Sequence, residues 1–348
     1  MTTKVSLPPT TIPPGSWILI TGVTGYVASH IALEFLKRGY RVRGTTRDVS
    51  TSSWVTTSLF KSQTEAGFFE LASVPDMAAP GSFDQAIKGV SAVVHVASVL
   101  SYDGNPHNVI TPTVEGTKNL LRVAAREISV KRFVYTGTIG ATDPLTSTTP
   151  VYLTKDSWNE EGVDQAWKEP YGPEKGYINY VASKIITEKA VWKFVEEEKP
   201  GFELNVVCPY MNMGKVLDKN QNPGARTMMA GFVGGTEQTK ALLAIIPNVA
   251  YINNTDDAII HVGAVLDPEV KNERIYAWAH KFVWNDVLAI MRKMFPDKAV
   301  IEDLPDPKMC MAEADMSLAL SLLKKWGPQE GWMGFEQGVR EILEDVTF

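Results

Sequence analysis

Cysteine is nearly absent. Cys208 and Cys310 are the two in 348 residues, far apart and in no CxxC pair, which excludes a disulfide framework and a cysteine-based zinc site and fits a reducing, cytoplasmic setting. Histidine is also sparse, and His30, His95, His107, His261 and His280 fall in no HExxH-like spacing, so no metal is expected. No stretch approaches the ~18 consecutive apolar residues of a membrane span. The opening MTTKVSLPPTTIPPGSW lacks the apolar core of a secretory signal, so no membrane partner is expected. Positive charge is not in excess: 34 Lys and Arg face 40 Asp and Glu, a formal charge of −6, and a chain without a positive field is a poor holder of nucleic acid. The 26 glycines and 21 prolines follow no period, which excludes a collagen-like fibre.

What remains is an ordinary globular composition, 44% hydrophobic and 21% charged, long enough for one large or two modest domains. The first half alternates short β-rich runs with helical stretches, the pattern of a doubly wound parallel sheet with crossover helices, an α/β Rossmann-type fold. Strands are expected at Trp17–Thr21, Arg41–Thr46, Phe68–Ser73, Ala92–Val96, Arg132–Thr136 and Leu204–Cys208. Helices are expected at Tyr26–Lys37, Val109–Glu127 and Tyr177–Glu198, the last stopped by Pro200. Beyond Pro209 the texture turns rich in Met, Gly and Pro, with helical patterns at Trp284–Phe295, Ser317–Lys324 and Gly334–Asp345. The pattern places a dinucleotide-binding domain at 14–208 with a return segment at about 249–278, where Thr255 or Asp256 caps a helix. A smaller substrate-binding lobe takes 209–248 and 279–348.

The stretch WILITGVTGYVASHIALEFL sets Gly22, Gly25 and Ala28 between the first strand and the first helix. Gly22 suits a tight turn, Gly25 admits a pyrophosphate close to the backbone, and the free N–H groups of the helix start attract an anion without a cation. Thr21, Thr24, Tyr26 and Val27 belong to the same cofactor-binding turn. At the end of the second strand come Gly44-Thr45-Thr46-Arg47-Asp48. A guanidinium at Arg47 suits a 2′-phosphate that a carboxylate would repel, so the cofactor is read as NADP(H), with Ser50 and Thr51 as hydroxyl donors. Asp48 is the residue that would make the site tolerant of NAD.

Tyr180 and Lys184, at i and i+4 in NYVASKIITEKAVWKF, share one helix face. An ammonium near a phenol favours the ionised form and lowers its pKa, which makes Tyr180 a proton donor and Lys184 both its tuner and a partner for the nicotinamide ribose. Thr138, just past the strand RFVYT, is the hydroxyl chosen to orient a substrate oxygen at the carboxyl edge of the sheet.

Taken in order, TGVTGYVASH, GTTRD, VPDM, VVHVAS, TPTVEGTKNLL, RFVYTGT, YVASK and VVCPYMNMG make the chain resemble an extended short-chain dehydrogenase/reductase, of the dihydroflavonol reductase-like branch that includes fungal carbonyl reductases. The resemblance runs nearly end to end. It implies that Asp76 and Met77 flank the adenine, that Ala97, Ser98 and Val99 line the ribose and nicotinamide region, and that Pro209 onward, Met211 included, contacts the carboxamide. Two departures stand out: Thr136-Gly137-Thr138 replaces the family's usual TSS, and Thr51 stands where a second basic residue is common.

The implied reaction is reduction of a bulky hydrophobic or aryl ketone, ketoester or aldehyde by NADPH. Met211, Met213, Met228, Met229 and Phe232 are candidate apolar pocket groups and Tyr210 and Asn212 candidate polar contacts. The partner is a small carbonyl compound, and the chain is a monomer or homodimer. Two rivals remain. A nucleotide-sugar epimerase or dehydratase would need cations such as Arg226 and Arg274 for a diphosphate. A non-catalytic NADP-sensing regulator would have no use for the Tyr180 proton.

Overall fold

The computed structural model describes residues 8–144, 149–235, 249–307 and 309–348, together with Thr239 and Leu243. Residues 1–7 of the proline-rich start, and 236–238, 240–242 and 244–248 of the expected second lobe, lie outside the described residues.

In chain order the strands are β1 (Trp17–Ile20), β2 (Arg41–Thr46), β3 (Phe69–Ser73), β4 (Val90–His95), β5 (Arg132–Thr136), β6 (Val151–Leu153), β7 (Glu203–Pro209), β8 (Met211–Met213), β9 (Val249–Asn253), β10 (Arg274–Ala277), β11 (His280–Phe282) and β12 (Ala312–Ala314). The α-helices are α1 (Tyr26–Lys37), α2 (Lys61–Glu65), α3 (Ile110–Arg126), α4 (Glu160–Trp167), α5 (Gly176–Glu198), α6 (Gly224–Ala230), α7 (Asn254–Leu266), α8 (Trp284–Met294), α9 (Ser317–Trp326) and α10 (Phe335–Leu343).

Seven strands make one sheet in the order β10-β7-β5-β4-β1-β2-β3, with every pairing parallel. The doubly wound fold expected from the alternation is the fold found. Strand order reverses between β1 and β4, and the crevice at their carboxyl ends is where such sheets bind ligands.

Both faces of the sheet are covered, which is why its strands read as near-continuous apolar runs. On one face α1 brings Ile31 and Ala32, with Phe35 four and three residues beyond them, against Ile18, Ile20 and the apolar side of α7. On the other, Leu120, Leu121 and Val191 of α3 and α5 cover Val93, Phe133 and Leu204. Each large side chain so buried contributes roughly 1.5–3 kcal/mol. α5 ends where Lys199 takes a left-handed conformation, φ 44°, and Pro200 bars its continuation.

The return segment is more elaborate than its sequence suggests. β9 leaves the main sheet to pair with β8 and β11 in a three-stranded sheet. α7 then packs on α1 and α9, and β10 closes the main sheet beside β7. The residue that caps α7 is Asn253, whose side chain accepts from Thr255 N at 2.8 Å, not Thr255 or Asp256. A third core, built on Met213, Phe232, Phe282, Trp284, Val287 and Met291, gathers β8, β11 and α8.

Candidate active site

The turn after β1 lies at the reversal point of the sheet. Gly22 has φ 68°, a left-handed position that favours glycine. A Cβ placed there would lie 3.1 Å from the Ala97 Cβ, so the turn is also pressed against the chain leaving β4. α1 starts at Gly25 with no side-chain cap and no acidic residue in its first turn, which leaves its amides and dipole open to an anion.

Thr21 faces away from any ligand. Its hydroxyl lies 2.8 Å from His95 Nδ1 and accepts from Val96 N and Ala97 N, each at 3.0 Å. Thr117 gives its proton to the Thr113 carbonyl, so His95 Nε2 must donate to Thr117 at 2.8 Å and Nδ1 must accept from Thr21. The imidazole is neutral, burial holding it down to about 3. The side chain of Thr21 therefore ties β1 to β4, contrary to a cofactor-binding role for its hydroxyl. Tyr26 is likewise engaged, donating to the Gly214 carbonyl at 2.6 Å, which leaves its backbone and not its hydroxyl for a phosphate. Thr24 and Val27 are partly buried in the same turn, and the Thr24 carbonyl accepts from Gln221 at 3.4 Å.

At the end of β2 Arg47 is exposed. Asp48 is turned away, its carboxylate accepting from Ser50 N and Ser50 Oγ at 2.8 and 2.7 Å. Thr51 donates to the Asp48 carbonyl at 3.3 Å. Ser50 and Thr51 thus hold Asp48, and the hydroxyl donors expected for a phosphate are occupied. Asp76 is exposed and receives Ala78 N at 2.9 Å. Met77 packs on Gly116 of α3, and its carbonyl accepts from Asn119. Ser98 Oγ is buried without a hydrogen-bond partner, and Ala97 and Val99 flank it. An open helix start, a glycine cradle and this orphaned hydroxyl fit a dinucleotide.

Lys184, 3% exposed, donates to the Thr136 carbonyl at 2.6 Å and sits 4.8 Å above the Tyr135 ring. Its ammonium is lowered by burial to about 8, with Glu188 opposing the fall. Tyr180 departs from expectation. Its phenol is pushed well up, first by burial and then by Tyr102 and Tyr177. The cation expected to acidify it is turned toward the β5 carbonyl instead. Thr138 is buried and caps a short 3-10 turn, Ile139–Ala141, accepting from Gly140 N at 3.3 Å. Because that hydroxyl acts as acceptor, its own proton is left to donate.

The groups that sequence reasoning missed are aromatic. Tyr102, at φ 49°, puts its ring 5.7 Å from that of Tyr180. The Tyr177 ring lies 6.4 Å from that of Tyr180, and its hydroxyl is 3.0 Å from that of Tyr210, whose ring reaches Gly140. Tyr177, three residues before Tyr180 on α5, was findable by helical spacing; Tyr102 sits in a loop and carried no signal. Of the candidate substrate groups, Met213, Met229 and Phe232 are wholly enclosed in the third core and act as packing, which corrects their assignment to a pocket. Met211 and Met228 are partly buried against that core, and Pro209 ends β7 paired with Ala277. Asn212 Oδ1 is buried without a partner.

Arg274 is not free for a diphosphate. Its Nε lies 2.6 Å from Glu188 Oε1, its guanidinium 4.0 Å over Trp158, and Nη1 donates to the Lys155 and Ser157 carbonyls. Arg226 donates to the Glu344 carbonyl at 2.7 Å.

A parallel sheet with a glycine turn at its reversal point and a Tyr and Lys on the helix beside β5 defines a dinucleotide-dependent enzyme class. Residues 18–243 match the NAD dependent epimerase/dehydratase family, and the chain belongs to it. It is 37% identical to aldehyde reductase 2 of Sporidiobolus salmonicolor over 97% of both chains. It is also 37% identical to the NAD-dependent epimerase/dehydratase terH of Aspergillus terreus, over 96% of this chain and 97% of that one. Its fold is similar to that of yeast methylglyoxal/isovaleraldehyde reductase Gre2 complexed with NADPH, with a TM-score of 0.78 at 22% identity, covering 94% of this chain and 97% of the other.

Proposed function

We propose that the chain is an NADPH-dependent reductase of aldehydes and ketones, taking bulky hydrophobic or aryl carbonyl compounds. The aldehyde reductase at 37% identity and the Gre2 structure complexed with NADPH support the cofactor and reaction type. When bound, the nicotinamide supplies the hydride. The observation that carries the reading is geometric: Tyr180 stands one helical turn before Lys184 on α5, Lys184 reaches the Thr136 carbonyl at the end of β5 and Thr138 follows two residues on, with the phenol protonated at neutral pH. That is the form reduction consumes: a phenol reluctant to ionise in the resting protein still protonates a far more basic alkoxide, whereas oxidation would need the phenolate.

Thr138 donates its free proton to the same oxygen, and Lys184 holds the end of β5 and serves the ribose. The turn 21–27 takes the diphosphate, and Arg47, with Asp48 turned aside, takes the 2′-phosphate. The Tyr102, Tyr177 and Tyr210 rings favour planar apolar substrates. Capture of Arg274 by Glu188 removes it as a partner for a sugar diphosphate, which weighs against the epimerase reading. The test is loss of reduced-nicotinamide absorbance with aryl ketones, ketoesters and aldehydes, NADPH and NADH run in parallel. Tyr180→Phe should lower turnover by about 10²–10⁴-fold with cofactor binding unchanged; full turnover in that variant would end the proposal.

A further inference from the structure

We propose that Glu188 is a positioning residue of this site: its carboxylate, anchored from behind by Arg274 of β10, keeps the Lys184 ammonium charged and seated against the end of β5. The inference rests on the reductase reading for its consequence in turnover.

Lys184 and Glu188 stand one helical turn apart on α5, 3% and 0% exposed. Glu188 is fixed by three elements. Arg274 lies 2.6 Å from Oε1, Trp192 Nε1 donates to Oε1 at 3.3 Å, and Cys208 Sγ lies 4.0 Å from Oε2. A Cβ on Gly137 would fall 3.1 Å from Glu188 Oε2 and 3.0 Å from Cys208 Sγ. The carboxylate is thus wedged beneath the residue that joins Thr136, whose carbonyl receives Lys184, to Thr138. This gives a physical reason for glycine where the resembling family carries serine.

The groups near Lys184 are Tyr180 and Glu188 on its own helix, Tyr135 and the Thr136 carbonyl on β5, neutral His95 on β4, Cys208 on β7 and Arg274 on β10. Glu188 is the carboxylate among them. An ammonium in so dry a setting is driven toward the neutral amine unless an anion is close, and a neutral Lys184 would loosen its hold on Thr136. Glu188 itself is pushed up by burial and held down chiefly by Arg274, so the order along the spine is cation, anion, cation.

The experiment compares wild type, Glu188→Gln and Glu188→Gln/Arg274→Gln. The double variant guards against a fold lost to a lone buried guanidinium. In the cofactor-free chain labelled with 13Cε-lysine, Lys184 is assigned by its disappearance in Lys184→Met and titrated by NMR. Its midpoint should fall by about one pH unit or more in Glu188→Gln, where Arg274 repels it unopposed, and by less in the double variant. The alkaline limb of kcat/KM for NADPH-dependent reduction should move down with it, giving for a one-unit fall a loss of roughly 5-fold at pH 8 that recovers toward pH 6. An unchanged midpoint, or a loss equal at every pH, overturns the proposal. Absence of wild-type NADPH oxidation with every carbonyl compound would instead sink the reductase reading, while the NMR midpoints still decide the role of Glu188.

Discussion

Acid should weaken this fold through His30, and the size of the effect follows from where the ring sits. His30 lies on α1, 4% exposed, edge-on to Tyr26 at 5.7 Å. Its Nε2 is 2.8 Å from the Lys215 carbonyl, which can only accept, so Nε2 carries the hydrogen. Burial holds the folded-state pKa down to about 4, against 6.5 for a free imidazole. Between those values the unfolded chain binds a proton that the folded chain refuses, so stability is intact above pH 6.5 and is lost as pH falls toward 4. At pH 5 linkage puts the loss at about 2 kcal/mol. His30→Gln keeps a donor at the same reach and does not titrate. His95, held down to about 3, adds to acid sensitivity, and Asp256, pushed up to about 6, opposes it; both are common to the two proteins and cancel in the difference. Between pH 7.5 and 5, wild type should lose about 2 kcal/mol more than His30→Gln by denaturant melting. At ~2.1 cal/mol/K per residue for 348 residues this is roughly 3 °C in Tm. Parallel curves for the two proteins would refute the reasoning.

Removing the guanidinium in Arg47→Ala should raise the KM for NADPH by about 10- to 100-fold, the worth of a charged hydrogen bond, and leave that for NADH nearly unchanged; equal losses would remove Arg47 from the site. Tyr102→Ala should raise the KM for an aryl ketone by roughly 2- to 10-fold without a matching change for an aliphatic ketone, and an indiscriminate effect would mean that the ring only packs. Gly137→Ser forces a side chain between Cys208, Glu188 and Val206, an overpacking of about 1–3 kcal/mol. Its lowered Tm should be partly restored by adding Cys208→Ala, and an unshifted Tm would mean the space is there.

Much of this was legible because each signal was local. The turn after β1 is a contiguous stretch in which glycine marks a left-handed residue, and the YVASK helix announces its face by its own period. Elsewhere the deciding partner is remote in sequence. β10 is four residues long and becomes a strand because β7 offers it an edge. Met213 and Phe232 look the same in a list of apolar residues whether they line a cleft or fill a core, and only the packing of α8 and α10 around them decides. The helix spacing that brought Tyr180 and Lys184 to one face could not say which way an ammonium turns; the Thr136 carbonyl settles that. One further turn along the same face would have reached Glu188.

The hydrogen bonds from Tyr26 to Gly214 and from His30 to Lys215, with Gln221 reaching Ser29 at 2.8 Å, join the stretch 214–221 to the first turns of α1. A hinge cannot lie along a seam stitched this way. Any widening of the crevice has to pivot elsewhere, and a dinucleotide resting on the start of α1 would bear on residues 214–221 through the same stitches. The expected kinetics are an ordered sequence, with the coenzyme first to arrive and last to leave, and product inhibition patterns would show it.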